Sequence, residues 1–150
     1  MSRRLRRFWR RRQRGTALVW TAMMLPFFLS IAGLAIDGGV MFKARRDLQS
    51  LADSAARAAA MQVDQQIYRA SSGGAVVIDT SAARAVASDY IASAQTAGLN
   101  ADVAADQDAV QVRLSEDVST AFMRIVHIDK VHVTAAALAF PRHGISAEQR

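Results

Sequence analysis

An uninterrupted apolar stretch from Thr16 to Ile36 constrains this chain more than any other feature. It contains 21 residues and no charged side chain. A helix rises about 1.5 Å per residue, so a helix of this length crosses the roughly 30 Å hydrocarbon layer of a bilayer. We therefore predict one transmembrane helix over residues 16–36.

Arginines precede this stretch and predict its direction. Eight of them, with no acidic residue among them, lie in the first 14 positions: Arg3, Arg4, Arg6, Arg7, Arg10, Arg11, Arg12 and Arg14. Arginine is retained on the cytoplasmic side of a membrane and binds anionic head groups. We therefore expect a cytoplasmic N-terminus, an extracytoplasmic body after residue 37, and lipid contact for these arginines.

The charge balance leaves one alternative partner open. A pI of 11.0 is typical of nucleic-acid-binding proteins. Without the eight arginines, however, the formal net charge falls from +6 to −2, so the body is close to neutral. The membrane is the predicted partner and nucleic acid is not, although a membrane-tethered protein that binds nucleic acid through its arginine arm is an alternative hypothesis.

A cleaved secretory signal is the second alternative to a permanent span. Gly33-Leu34-Ala35 fits a small-x-small cleavage site, and cutting there would release a soluble periplasmic binding module that begins near Ile36. The apolar run exceeds the usual 7–15 residues of a signal core, and the helical pattern continues past the site. Both observations favour an uncut anchor.

The helical pattern extends from the span to about Tyr68. Apolar residues recur every three or four positions along one face, at Ala44, Leu48, Leu51, Ala55 and Ala58. This face either covers the chain's own small sheet or also packs against other subunits. Asp37, at the predicted membrane edge, is expected either to cap a helix or pair locally with Lys43 or Arg46, or else to contact a partner subunit.

Residues 10–60 resemble the N-terminal region of TadE/TadG-like proteins of tight-adherence (Flp, type IVb) pilus systems. The similarity is an ordered set of features: a basic stretch ending in Arg-Gly, an apolar helix with Leu-Pro, a Gly-Leu-Ala-Asp-like segment, and an Ala-Asp-rich helix. The matching positions are Arg14, Gly15, Leu25, Pro26, Gly33, Leu34, Ala35, Asp37, Gly39, Arg45, Leu48, Gln49, Ala52, Asp53, Ala55 and Ala56.

The resemblance implies a minor pilin-like or pilus-assembly component of the bacterial inner membrane that faces the periplasm. Related pseudopilins are processed after a glycine such as Gly15, which would leave Thr16 as the new N-terminus, and they carry a Glu five residues later. This chain has Trp20 at that position. The pattern is therefore nearer to the membrane-anchored TadG-like branch.

The remainder predicts a small antiparallel sheet with short helices. We expect a strand at 75–79, then a helix capped by Ser81 and running to about residue 97, and a hairpin of 99–105 and 109–114 that turns at 106–108. The predicted apolar side of this helix comprises Ala82, Ala85, Val86, Tyr90, Ile91 and Ala94. Phe122, Ile125 and Val126 are expected in a short helix capped by Ser119 or Thr120, or in a strand. A final strand is expected over 130–138, with Val131 and Val133 on one face, and Pro141 should end it.

The sequence offers little for catalysis. It has no cysteine, which excludes disulfides and thiol chemistry. Asp102, Asp106 and Asp108 lack the glycine and closing glutamate of a calcium loop. His127 and His132, with Asp129, could outline a metal site, but two of these would alternate across a strand edge and no further clear ligand follows. We expect no enzyme activity, no metal and no cofactor.

These inferences predict an α+β chain with a pilin-like arrangement. It comprises a basic cytoplasmic segment (1–15), a transmembrane helix (16–36), its periplasmic continuation (37–70), a small α+β cap (71–140) and a polar tail (141–150). The expected partners are the membrane, other pilus or pilin subunits, and a second copy of the chain. The predicted helix-packing interface comprises Pro26, Asp37, Ala44, Leu48, Leu51, Ala52, Ala55 and Ala58.

Overall fold

A single long helix dominates the first third of the chain. The structure, a computed structural model, describes the backbone of residues 3–141 and the side chains of residues 15–141. Helix α1 comprises Arg3–Ala60 and continues through Pro26. The proline has no N–H for the helical ladder, and its carbonyl accepts a hydrogen bond from the Ser30 hydroxyl at 2.8 Å.

Helix α1 ends eight residues before the predicted end at Tyr68. Beyond Ala60 the backbone leaves the helix to pair with a later segment: Val63 forms an isolated antiparallel bridge with Ile78. The Asp64 carboxylate then caps a separate short helix, α2 (Gln65–Ala70). The continuous helix predicted for 37–70 is therefore wrong in its last turns, because a tertiary backbone pairing interrupts it.

The segment at 75–79 is not a strand. Within it only Ile78 belongs to a bridge, and its N–H donates to the Gln107 carbonyl at 2.9 Å. Helix α3 (Thr80–Ser93) follows directly, and its N-cap is Asp79, not Ser81 as predicted. The Asp79 carboxylate accepts the backbone N–H groups of Ser81 and Ala82, each at 3.0 Å.

The end and the buried face of α3 also differ from the prediction. The helix ends at Ser93, four residues before the expected end, and Gly98 with its φ of +78° lies beyond the cap. The buried side chains are Ala83, Ala87 and Ile91, spaced by four residues. Of the face that we predicted from Ala82 to Ala94, only Ile91 is buried.

The sheet agrees closely with the prediction. Its three antiparallel strands are β1 (Asn100–Ala105), β2 (Val110–Ser119) and β3 (Lys130–Ala139), in the order β1-β2-β3. Side chains alternate along β2, with Val110, Val112 and Leu114 buried. Val133 is buried on β3 and Val131 is half-buried. The α+β class and the hairpin are confirmed, and β2 extends five residues beyond its predicted end at residue 114.

The core lies between the last turns of α1, helix α3 and one face of the sheet. It is built mostly from alanine and valine, with Leu48, Ile78, Ile91 and Leu114 as its larger members. Gln49 adds a polar connection, because its side-chain amide donates to the Ala136 carbonyl of β3 at 3.0 Å. Alanines on α1 leave room for the backbones of helix and sheet to approach closely.

The chain divides into two compact units. One comprises the helix up to Val40 together with Thr120–Asp129, and the other comprises Met41–Ser119 with the chain from Lys130 onward. The core described above belongs to the second unit. The first unit contains the apolar stretch and the connection between β2 and β3.

Candidate functional site

The carboxylate of Asp37 is the most unusual polar group in the first unit. It is only 2% exposed, and it accepts three backbone N–H groups from the connection between β2 and β3. Oδ1 accepts from Ala121 at 2.8 Å, and Oδ2 accepts from Phe122 at 2.9 Å and from Met123 at 2.7 Å. These donors precede and begin a 3₁₀ turn (Met123–Val126), so Asp37 caps it from a distant helix.

Two opposing effects act on the ionisation of Asp37. Burial removes the carboxylate from water and raises its pKa, while the N–H groups of Met123, Ala121 and Phe122 stabilise the charged form and lower the pKa. The hydrogen bonds prevail, so the pKa lies below its ordinary value. Asp37 is therefore an ionised group at neutral pH that is satisfied entirely by backbone donors.

Gly33, one helical turn before Asp37, provides the space for Phe122. A Cβ atom placed on Gly33 would lie 2.6 Å from Cγ, 2.7 Å from Cδ1 and 2.8 Å from Cβ of Phe122. Such distances are shorter than carbon atoms tolerate, so a larger residue at position 33 would require Phe122 to move. We call residues 120–129 the β2–β3 loop. Gly33 and Asp37 together form the contact site for this loop on α1.

Hydrogen bonds within the β2–β3 loop satisfy much of its remaining backbone. Thr120 donates its N–H to the Asp129 carbonyl at 3.0 Å and its hydroxyl to the Ile128 carbonyl, which closes the base of the loop. Ile125, His127 and Ile128 donate their N–H groups to carbonyls within the loop. His127 has a left-handed conformation with φ of 65°, which histidine adopts more readily than most residues.

The side chains of the β2–β3 loop are, in contrast, largely apolar and uncovered. The exposed fractions are 42% for Phe122, 76% for Ile125, 66% for Val126 and 41% for Ile128. An internally hydrogen-bonded backbone thus carries four large exposed apolar side chains, one of which, Phe122, lies against the apolar stretch of α1. Exposed apolar patches of this kind are typical of surfaces that bind another protein or a membrane.

The predicted helix-packing residues fall into two groups. Leu48, Ala52 and Ala55 are buried in the chain's own core, and Ala44 and Leu51 pack partly against it. Ala58 is half-buried. This is the arrangement expected from the interpretation in which the stripe covers the chain's own sheet. Pro26, in the apolar stretch, is exposed.

The structure places the remaining predicted positions as follows. Gly15 and Thr16 are exposed within α1. The side chains of the eight arginines at positions 3–14 and the tail beyond Pro141 lie outside the described residues. Asp37 does act as a cap, as one alternative proposed, but it caps the β2–β3 loop and not a neighbouring helix; Lys43 instead pairs with Asp47 at 3.1 Å.

The candidate metal-binding residues do not come together. His132 pairs with Asp117 across β2 and β3, with 2.8 Å between Nδ1 and Oδ1, while His127 lies in the β2–β3 loop. Asp106 and Asp108 lie in the turn between β1 and β2. Among the side chains of residues 15–141, no three His, Asp or Glu residues are grouped as a metal ion would require.

An open cleft of about 720 Å³ lies beside the sheet in the second unit. Its polar lining includes Arg45, Asp102, Arg113 and His132. Charges of both signs therefore line it, and His132 is already paired with Asp117. The cleft offers hydrogen bonding but no preference for one charge class.

Sequence reasoning missed Gly33, Phe122 and the donors to Asp37 as parts of one site. Asp37 and its donors are 84 to 86 residues apart, so no local pattern links them. Two signals were present: an acidic residue directly after the uncharged stretch, and a cluster of apolar residues at 122–128 without strand alternation. Neither signal identifies the residues that Asp37 or the apolar cluster contacts.

One helix in the described part of the chain is long and apolar enough to cross a membrane. Only 6% of its apolar window is buried, whereas the core helix of a soluble protein would be mostly covered. The chain thus has one candidate transmembrane helix near its N-terminus, consistent with a single-pass membrane protein.

Comparison with known proteins gives one match. No curated protein and no solved structure matches the chain. Residues 15–62 match a family model described as "Putative Flp pilus-assembly TadE/G-like". This region contains the candidate transmembrane helix, Gly33, Asp37 and the core-facing turns of α1. Residues 15–62, about a third of the chain, are therefore similar to the TadE/G-like proteins of Flp pilus assembly, which supports a role in that process.

Proposed function

We propose that this chain is a single-pass inner-membrane component of Tad/Flp pilus assembly, minor pilin-like and nearer to the TadG-like branch. Its N-terminus lies in the cytoplasm and its α+β body in the periplasm. It acts by packing its helix against other pilus or inner-membrane subunits, including a second copy of itself, and it catalyses no reaction. The observation that carries the proposal is the exposed, uncharged helix 16–36 inside the matched region.

The exposure of α1 supports the choice of packing surface. Within 16–36 the large apolar side chains, from Leu18 to Ile36, are uncovered. Beyond residue 40 the stripe that begins at Ala44 is largely used by the chain's own core. Partner subunits therefore meet the helix mainly within the membrane, where close packing of side chains drives association.

Helical continuity argues for an anchor that is not cut near Ala35. Residues 33–36 lie within α1, and the β2–β3 loop packs directly on Gly33. Cleavage after Ala35 would separate Gly33 from Asp37 and so divide the contact site for the β2–β3 loop. A cut after Gly15 would leave this contact site intact.

The first test is the N-terminal sequence and membrane partition of the mature protein, from cells with and without a prepilin peptidase. A membrane-bound chain that begins at Met1 is the expected result and agrees with a TadG-like anchor. A terminus at Thr16 that depends on the peptidase would instead indicate a processed pseudopilin despite Trp20. A soluble chain beginning near Ile36 would overturn the membrane proposal.

Photo-crosslinking tests the packing surface. A photoreactive amino acid replaces Phe28, which is exposed in the span, and a matched variant carries it at Ser88, which is exposed on α3. We expect covalent adducts with other pilus subunits or with a second copy from position 28, at a higher yield than from position 88. Equal yields would contradict helix packing as the mode of action.

The role in pilus assembly has its own test. A strain from which the gene for this chain is deleted should lack Flp pili.

A further inference from the structure

We propose that the β2–β3 loop is a second membrane-binding element. It inserts Phe122, Ile125, Val126 and Ile128 into the head-group side of the leaflet from which the C-terminal end of the helix 16–36 emerges. The occupant of this surface is lipid, at the boundary between head groups and acyl chains. The inference depends on the transmembrane helix of the proposed function but not on a role in pilus assembly.

The first supporting observation is the position of the loop along α1. The ring and Cβ of Phe122 lie against Gly33, and Gly33 belongs to the uncharged stretch 16–36. Asp37, which accepts the Phe122 N–H, is the first charged residue after that stretch. Gly33 lies about 6 Å below Asp37 along the helix axis. If the stretch spans the bilayer, Phe122 lies at the depth of the hydrocarbon boundary.

The backbone of the loop supports the same depth. Non-helical backbone is tolerated at such depth only when its polar groups are satisfied within the protein. In this loop seven backbone N–H groups donate to Asp37 or to carbonyls of the loop itself: those of Thr120, Ala121, Phe122, Met123, Ile125, His127 and Ile128. An ordinary surface turn could leave such groups to water.

The side chains complete the argument. Ile125 and Val126 are the most exposed large apolar residues of the loop, and both lie in or next to the 3₁₀ turn that Asp37 caps. Arg124 in the same turn is long enough to keep its guanidinium among lipid phosphates while its carbons lie along the apolar surface. Insertion of the four apolar side chains removes from water a surface that the chain leaves uncovered.

The chain has no cysteine, so single labelling sites can be introduced without removing any native one. A nitroxide is attached to Ile125→Cys in the full-length chain, reconstituted in vesicles of phosphatidylethanolamine and phosphatidylglycerol. Electron paramagnetic resonance then measures collisions with oxygen, which concentrates in lipid, and with a water-soluble nickel chelate. Labels at Leu25→Cys near the middle of the span and Ser88→Cys on α3 give the lipid and water references.

We expect the label at position 125 to collide preferentially with oxygen, at a depth of about 5–10 Å below the head groups. Accessibility equal to that at position 88 would overturn the proposal. A label shielded from both reagents would also overturn it and would show a protein contact instead. If position 25 reports water, the membrane span itself fails. If position 25 reports lipid while position 125 reports water, only the loop inference fails.

A double substitution tests the same inference if the label at position 125 disturbs the loop. Replacing Ile125 and Val126 with serine should leave the loop hydrogen bonds in place, since both side chains point to the outside. A nitroxide at His127→Cys in this background should then move toward the water reference. An unchanged depth would contradict lipid insertion through these two side chains.

Discussion

The Met123 amide donates to the Asp37 carboxylate across 86 residues of sequence, at 2.7 Å. Together with the N–H groups of Ala121 and Phe122 it gives the carboxylate three donors and leaves none of the three donors without an acceptor. The contact joins the end of the candidate transmembrane helix to a loop near the C-terminus.

Replacing Asp37 with asparagine should release the β2–β3 loop. Asparagine retains one oxygen, and its amide nitrogen would face N–H donors that it cannot accept. We expect amide hydrogen exchange in a peptide covering 120–126 to accelerate about tenfold. The measurement is exchange followed by mass spectrometry on the full chain in detergent. Asp47→Asn, which alters an exposed residue paired with Lys43 on the same helix, should leave exchange unchanged.

Replacing Gly33 with alanine should destabilise the same loop by a steric route. The added methyl would overlap Phe122, at a cost of about 1–3 kcal/mol. Gly39→Ala is the matched control, because nothing lies within 4 Å of a Cβ there and alanine favours the helix. Thermal unfolding monitored by circular dichroism compares the two variants. In a Phe122→Gly background the Gly33→Ala change should be nearly neutral, and an equal cost in both backgrounds would refute the contact.

Acid should weaken the N-terminal cap of α3. The Ser81 hydroxyl, together with the backbone N–H groups of Ala82 and Ser81, lowers the pKa of Asp79 below its ordinary value of 3.8, against a smaller opposing effect of burial. A lowered pKa means that the ionised cap stabilises the fold above pH 3.8 and that this stabilisation is lost as the pH falls through the folded-state pKa.

Asp79→Ala should therefore lower the melting temperature by about 2–4 °C at neutral pH. The difference from the wild type should shrink as the pH falls below 3.8. Melting curves between neutral pH and pH 2 provide the measurement. Asp89→Ala, an exposed change on the same helix, should show no such trend; a pH-independent deficit at position 79 would exclude the ionised cap.

Enlarging an alanine on the core-facing side of α1 should separate the helix from the sheet. Ala55 is completely buried, so Ala55→Leu is expected to cost about 1–3 kcal/mol. Ser50→Leu adds a similar side chain on the exposed face and should have little effect. Urea unfolding of the full chain in detergent tests this. Equal stability of the two variants would mean that the core tolerates a wider spacing.

Elements whose signal is local were predictable from sequence. The uncharged run of 16–36, the alternation along Val110, Val112 and Leu114, and the acidic turn at 106–108 each depend on neighbouring residues. The long helix was predictable for the same reason up to Ala60. Its end was not, because the bridge between Val63 and Ile78 joins segments that carry no common pattern.

The candidate site was predictable only in part. The position of Asp37 at the edge of the apolar stretch marked it as unusual, and capping was among its predicted roles. The identity of the capped segment depends on how β2 and β3 place their connection, and Ser119 and Thr120 were the local candidates instead. Thr120 closes the base of the loop through Asp129 and Ile128, while the cap comes from Asp37.

The distance in sequence between Asp37 and the β2–β3 loop also sets an order of events during biosynthesis. The ribosome completes the apolar helix and Asp37 more than 80 residues before it reaches Ala121. Until then the carboxylate has no backbone donors from the loop and is stabilised best by water, which resists its entry into the hydrocarbon. In the proposed single-pass arrangement, the loop amides replace this water only after the chain has been synthesised as far as Met123, so the buried state of Asp37 forms late.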